Sequence, residues 1–268
     1  IAVAPNGGRR TKADHSAIPI TPGELAQVAA ESLAAGAAMI HAHIRDPQGL
    51  HLLDADTYRL AIKTIRKSVG ERLVIQITSE SVGRYEPATQ MAVVRAVRPE
   101  AVSLALREFV PDPAHEGPFA EFLRWLRQEH ITPQIILYSI DDALQLASLS
   151  KRGLIPWTSV PVLFVLGSYQ GTRASEPSDL LPFLAPGMPA FEHWMVCAFG
   201  RNETDCVTAA ALHGGHVRVG FENNLHQPDG TLATDNASQV RAVAQRLLEA
   251  DCTLQDAEAL RTAWTMLK

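Results

Sequence analysis

TPGELAQVAAESLAAGAAMIHAH, residues 21–43, carries the pattern from which the fold is read. Thr21 is placed to cap a helix. Pro22 suits the first helical position, where its missing N–H would have no partner anyway, and Glu24 completes a capping box. Gly36 ends the helix, and Ala38–His43 then runs short and apolar, as a strand does. The same unit recurs outward in both directions. Ile1–Pro5 reads as a strand upstream. Downstream, helix Asp54–Val69 leads to strand Leu73–Thr78, Pro87–Val97 to Ala101–Leu106, and Phe119–Glu129 to Gln134–Tyr138. Asp141–Lys151 leads to Val162–Leu166, Ser178–Leu184 to His193–Ala198, and Thr204–Leu212 to His216–Phe221. A long helix, Asn236–Ala250, and a helical tail follow.

Strict alternation of strand and helix predicts a parallel sheet, and eight such units predict an α/β fold of the (β/α)8 TIM-barrel type. An open doubly wound sheet would use fewer strands, and no G-x-G-x-x-G follows the first strand. No linker, internal repeat or low-complexity stretch intervenes, so residues 1–268 are expected to form a single TIM-barrel catalytic domain.

Composition narrows the function. With 46% hydrophobic and 20% charged residues, the 268-residue chain can bury a large core without disulfides or structural metals. A bound metal is therefore expected to serve chemistry. A net charge of −5 without a basic stripe argues against nucleic acid as a partner. Gly, Pro or charge interrupts every apolar run before membrane-spanning length, so no membrane partner is expected. Cys197, Cys206 and Cys252 lack C-x-x-C spacing and read as reduced core thiols. No secretory pattern is seen, and a cytoplasmic location is expected.

His41-Ala42-His43 closes the second predicted strand. Residues i and i+2 share a face, so both imidazoles project together at the C-terminal mouth, where barrel enzymes place their chemistry. Arg45 continues that face. In His216–Glu222, Val217, Val219 and Phe221 share one face, while Arg218, Gly220 and Glu222 share the other. If the apolar set packs on the helices, Arg218 and Glu222 face the barrel axis, with Gly220 leaving space below Glu222. Two His and one carboxylate with open positions form a catalytic metal set. On spacing alone, hydrogen-bonded core histidines and a surface glutamate explain these residues equally well.

The assembled residues resemble the β-keto acid cleavage enzymes, the family of 3-keto-5-aminohexanoate cleavage enzyme. The resemblance spans essentially the whole chain. It runs through Ala4-Pro5-Asn6-Gly7, Pro19–Glu24, Gly36-Ala37-Ala38, His41–Asp46, Gly49, Gly214–Asn224 and Asp235-Asn236-Ala237. It implies a zinc-dependent TIM barrel that assembles as a homo-oligomer, tetramer or dimer. It also implies reaction of a β-keto acid with the co-substrate acetyl-CoA to give acetoacetate and a new acyl-CoA. The family's zinc ligands fall on His41, His43 and Glu222, and its catalytic arginine on Arg218. Its substrate-binding positions fall near Thr78 and Ser79, and near Ser103 to Glu108. Another divalent transition metal would also suit such ligands.

Two departures matter. Asn223 stands where the aminohexanoate enzyme has an Asp that helps activate the substrate, and an amide is no base. Either Asn223 only orients, or another group takes the proton, for which Glu108 is the candidate. Arg9 stands near the position of a Glu that reads the substrate's ammonium group. An arginine repels an amine and pairs with carboxylates, which predicts a substrate with an anionic or neutral polar tail. Asp46 is a candidate to orient a ligand or Arg45. Lys12, Arg107, Lys151, Arg152, Arg173 and the loop Gly167–Gly171 are candidates for binding CoA. Two rival readings are a metal-dependent hydrolase on the same fold and an inactive metal-binding barrel.

Overall fold

A computed structural model describes residues 1–169 and 173–267. The barrel strands are β1 (Ala2–Val3), β2 (Met39–Ala42), β3 (Val74–Thr78), β4 (Ala101–Ala105), β5 (Thr132–Leu137), β6 (Val162–Leu166), β7 (Trp194–Ala198) and β8 (His216–Val219). They form one closed sheet in the order β1-β8-β7-β6-β5-β4-β3-β2. All pairs are parallel, and the two-residue β1 closes the ring, with Ala2 opposite both Met39 and Arg218. The eight-stranded TIM barrel expected from the alternation is therefore present.

Helices α1 (Pro22–Ala34), α2 (Ala55–Val69), α3 (Pro87–Val97), α4 (Glu116–Gln128), α5 (Ile140–Lys151), α6 (Glu203–Leu212) and α7 (Asn236–Glu249) surround it, and α8 (Ala257–Thr265) follows. Local chemistry sets several starts. Thr21 and Glu24 make the capping box of α1, and Asp54, Ser139 and Asp235 cap α2, α5 and α7.

Alternation along the strands sorts two cores. Ile40, Ile75, Ile77, Val102, Leu104, Ile135, Leu137, Val196, Val217 and Val219 point outward and pack beneath the helices. Met39, Val74, Ala101, Leu163 and Met195 point inward and meet Leu260 and Trp264 of α8. Higher in the interior, the same faces carry His41, Gln76, Ser103 and Gln134, all buried. Polar groups buried this deeply are retained where they are hydrogen-bonded or carry function.

The structure differs from the sequence expectations at the ends of β8 and β4, which border the site, and in the sixth unit. β8 stops at Val219, and Glu222 stands on the turn that follows. Gly220 leaves no space below Glu222. Its φ is +141°, and a Cβ there would lie 2.4 Å from the Ala4 carbonyl oxygen. Phe221 accordingly leaves the helix-facing core and packs with Ile18 and Ala233. β4 ends at Ala105, and Leu106–Phe109 forms a helical turn. In the sixth unit, Pro177–Leu184 is a 3-10 helix with Pro182 inside it, a residue that lacks the N–H an α-helix would use.

Candidate functional site

His41 and His43 leave β2 on its inner face with their Nε2 atoms 3.0 Å apart. Glu222 Oε2 lies 3.6 Å from His41 Nε2 and 3.4 Å from His43 Nε2. These three buried side chains bring their donor atoms within 4.8 Å of one another, a set able to hold a metal ion. The separations suit one small cation, since ligand bonds of roughly 2.0–2.1 Å place tetrahedral donors about 3.3 Å apart. Glu222 Oε2 is buried with no hydrogen-bond partner among the described residues, as an atom reserved for a cation would be. On the far side of His41, Nδ1 meets Gln76 Oε1 at 2.7 Å. An amide oxygen only accepts, so this contact makes Nδ1 the donor and leaves Nε2 with its lone pair toward the site.

Burial sets the charge states. It lowers His41 to about 4 and His43 to about 3, against the pull of Glu222, so both imidazoles are neutral near pH 7. Burial alone would push the Glu222 carboxyl up. The Arg218 guanidinium outweighs it and holds Glu222 well below the usual range. Arg218 Nη2 donates to Glu222 Oε1 at 2.9 Å and to Asn223 Oδ1 at 3.3 Å, and also contacts Cys197 Sγ at 3.2 Å. Its Nε and Nη1 have no acceptor among the described residues. Both donors therefore remain available to a reactant beside the carboxylate.

The barrel mouth opens into a cavity of about 160 Å³. Of the residues singled out in the sequence, Arg9, His41, His43, Thr78, Arg107, Arg218 and Glu222 line it. Others stand apart. Ser79 Oγ donates to the Ser103 carbonyl, and the Ser103 hydroxyl is buried. Asn223 is buried behind Arg218. Glu108 does not reach the cavity, because its carboxylate accepts from Ser81 N at 3.0 Å, Ser81 Oγ at 2.9 Å and Gln90 Nε2 at 2.8 Å. Asp46 accepts from the Gln48 and Leu50 amides and so closes its own turn. Arg45 donates to the carbonyls of Asn6, Gly7 and Arg10, and thereby holds the loop after β1. Lys12, Arg152 and Arg173 are paired with Glu24, Glu116 and Asp179. In the loop after β6, Ser168 and Tyr169 line the cavity, while Gln170 and Gly171 lie outside the described residues.

Three residues that sequence reasoning passed over matter here. Glu80 lines the cavity, and burial, reinforced by Glu222 and Glu108, raises its carboxyl to about 7. Tyr138 lines the opposite wall. Gln76 lies beneath His41, and its position two residues before Thr78, on the same strand face, was the signal available for it.

Residues 1–266 match the family described as beta-keto acid cleavage enzyme. The chain belongs to that family. Among its relatives is the 3-keto-5-aminohexanoate cleavage enzyme of Acetoanaerobium sticklandii, 28% identical over 91% of this chain and 90% of that protein. The 3-dehydrocarnitine:acetyl-CoA trimethylamine transferase of Rhizobium meliloti is 30% identical over 91% of this chain and 89% of its own. The 3-oxoadipate:acetyl-CoA acetyltransferase of Cupriavidus necator is 26% identical over 97% and 93%. Among solved structures, the ternary complex of ObcA with C4-CoA adduct and oxalate superposes with a TM-score of 0.70 at 18% identity, covering 92% of this chain and 67% of that one. This last likeness is one of fold. Members of the family are β-keto acid cleavage enzymes, so a shared barrel carries less weight here than the site does.

Proposed function

We propose that this protein cleaves a β-keto acid with acetyl-CoA, giving acetoacetate and a new acyl-CoA, with one zinc ion held by His41, His43 and Glu222. The observation that carries the reading is the convergence of those three donors beside Arg218, in a chain whose relatives are named for acetyl-CoA-dependent reactions of keto acids. Zinc bound there supplies a Lewis acid that polarises a keto oxygen and stabilises the negative charge developing on it. Nickel, cobalt or copper would also bind such a set.

The chain's own residues do the rest. Glu80 takes the proton from the α-carbon, the role that Glu108 is too far turned away to fill and that the Asn223 amide cannot perform. Arg218 turns Nε and Nη1 toward the oxyanion, while Asn223 and Glu222 fix its other edge. Thr78 Oγ1 accepts from the Glu80 backbone amide at 3.0 Å and so holds the backbone from which that side chain projects. The α-carbon bonds to the acetyl carbon, and the CoA thiolate leaves. The thiolate then adds to the β-keto carbon, and the α–β bond breaks. Acetoacetate takes back the proton, and the remainder departs as acyl-CoA.

Arg9 places a cation at the mouth, which favours a tail that is anionic or neutral and polar over an amine. The reading includes assembly as a homo-oligomer, a tetramer or dimer measurable by sedimentation, in the cytoplasm. Assaying acetyl-CoA consumption across a panel of β-keto acids tests it. Turnover of a dicarboxylic member above that of 3-keto-5-aminohexanoate is expected. Turnover that needs no CoA would point instead to a hydrolase, and no turnover at all to an inactive barrel.

A further inference from the structure

On the cavity wall facing the metal donors, the Arg107 guanidinium carbon stands 3.6 Å from the centroid of the Tyr138 ring. Strand order fixes this opposition. The donors belong to β2 and to the turn after β8, which flank β1. Arg107 follows β4 and Tyr138 follows β5, halfway round the closed ring. Both side chains line the cavity.

Arg107 is the most closely stacked cation of this site, since Arg9, which also lines the cavity, stands 5.5 Å from the Tyr169 ring centroid. Glu108, its neighbour in sequence, is committed to Ser81 and Gln90. Arg10 donates to the Phe221 carbonyl, Arg45 to the loop after β1, and Arg218 to Glu222. Arg9 acts on the Glu80 carboxyl. For Arg107, no carboxylate or hydrogen-bond acceptor is found among the described residues. Stacking on an aromatic face leaves the N–H donors along the edge of the guanidinium free and restricts its orientation before anything binds. A planar, partnerless fork of this kind matches a carboxylate or a phosphate bidentately.

We propose that Arg107, held on Tyr138, is an oxyanion-binding site that receives the anionic group a reactant carries away from its reacting carbon. The inference rests on the reading that a β-keto acid and acetyl-CoA meet in this cavity. One source of the anion is a carboxylate ending the tail of the β-keto acid, which spans the cavity once its keto end lies at His41, His43 and Glu222. The other is a phosphate of CoA.

The test uses the zinc-loaded full-length enzyme, as wild type, Arg107→Ala and Arg107→Lys. Each is assayed with a β-keto acid ending in a carboxylate and with its uncharged-tail counterpart. Each acid is paired with acetyl-CoA and with the acetyl thioester of N-acetylcysteamine, which lacks phosphates. Arg107→Ala is expected to lower kcat/KM about tenfold to a hundredfold for the fully charged pair, mainly through KM, with partial recovery in Arg107→Lys. A loss that vanishes with the uncharged tail assigns the site to the substrate carboxylate, and one that vanishes with the short thioester assigns it to CoA. An equal loss with all four pairs, or none, overturns the proposal. Should wild type turn over no β-keto acid, the reaction assignment fails by itself. Calorimetric titration with glutarate and with adenosine 3′,5′-bisphosphate then reads the site directly. Arg107→Ala must weaken binding of one of them about tenfold, and unchanged or undetectable binding of both by wild type and variant overturns the site.

Discussion

His41 Nδ1 and the Gln76 side-chain oxygen stand 2.7 Å apart, on residues paired directly across β2 and β3. Gln76 Nε2 in turn donates to Gln134 Oε1 at 3.1 Å, so a buried amide chain crosses the barrel beneath the site. This contact, rather than any group at the mouth, decides which nitrogen of His41 faces Glu222. Gln76→Leu is therefore expected to weaken metal binding by about 10- to 100-fold. It should also cost roughly 1–3 kcal/mol of stability, because Gln134 loses its donor. Chelator competition and urea unfolding measure the two effects separately.

Glu80 gives the reaction its expected pH dependence. Burial, with the Glu222 charge beside it, raises its carboxyl to about 7 in the metal-free protein; a cation on Glu222 shifts this downward, so kcat/KM should rise with pH along a limb at or below that value. Glu80→Gln is expected to lower kcat on the order of 100-fold and to flatten that limb. Stability moves the other way. A carboxyl raised in the folded state loses stability as pH climbs from its ordinary 4.5 through about 7. Glu80→Gln should therefore raise Tm at about pH 8 and change it little at about pH 4. An unaltered pH–rate profile in the variant would remove Glu80 from the chemistry.

Metal affinity should hold to lower pH than is usual for histidine sites. Protons compete with a cation only where they bind its ligands, and burial keeps His41 and His43 down at about 4 and about 3. Affinity measured by competition is expected to stay level from about pH 8 to about pH 5.5 and to fall below that. Loss beginning at the ordinary imidazole value of about 6.5 would show that these rings are more hydrated than the structure has them.

Gly220 is a packing requirement rather than a gap. A Cβ there would press to 2.4 Å from the Ala4 carbonyl oxygen, and the φ of +141° is strained for any side chain. Gly220→Ala is expected to cost about 3 kcal/mol or more and to displace Glu222 two residues on. Urea unfolding with metal analysis of the folded fraction should show both losses.

The barrel was legible because its strands are buried on both faces while its helices are amphipathic and capped, as Thr21 and Glu24 illustrate. The pairing of His41 with His43 was legible because residues i and i+2 of an extended chain share a face, whereas spacing alone left their partner open, since Glu222 reaches them from a turn. Strand ends were harder. Glu80 and Glu108 both stand just beyond a strand, and a turn of one residue decides which carboxylate enters the cavity. The helical turn at Leu106–Phe109 sends Glu108 to Ser81 and Gln90, and no local pattern announces it. Gly220 misled for a related reason. A missing side chain reads as room for a ligand, whereas here the backbone of β1 fills it. Tyr138 gave no signal, because its value lies in its nearness to Arg107 across two strands.

The most direct test titrates metal-free enzyme with zinc while following acetoacetate formation from acetyl-CoA and the best β-keto acid of the panel. Activity is predicted to climb linearly to a break at about one equivalent per chain, and to stay near zero in His41→Ala and Glu222→Ala at any zinc concentration. Full activity in the exhaustively chelated wild type, or in either variant, would contradict the account.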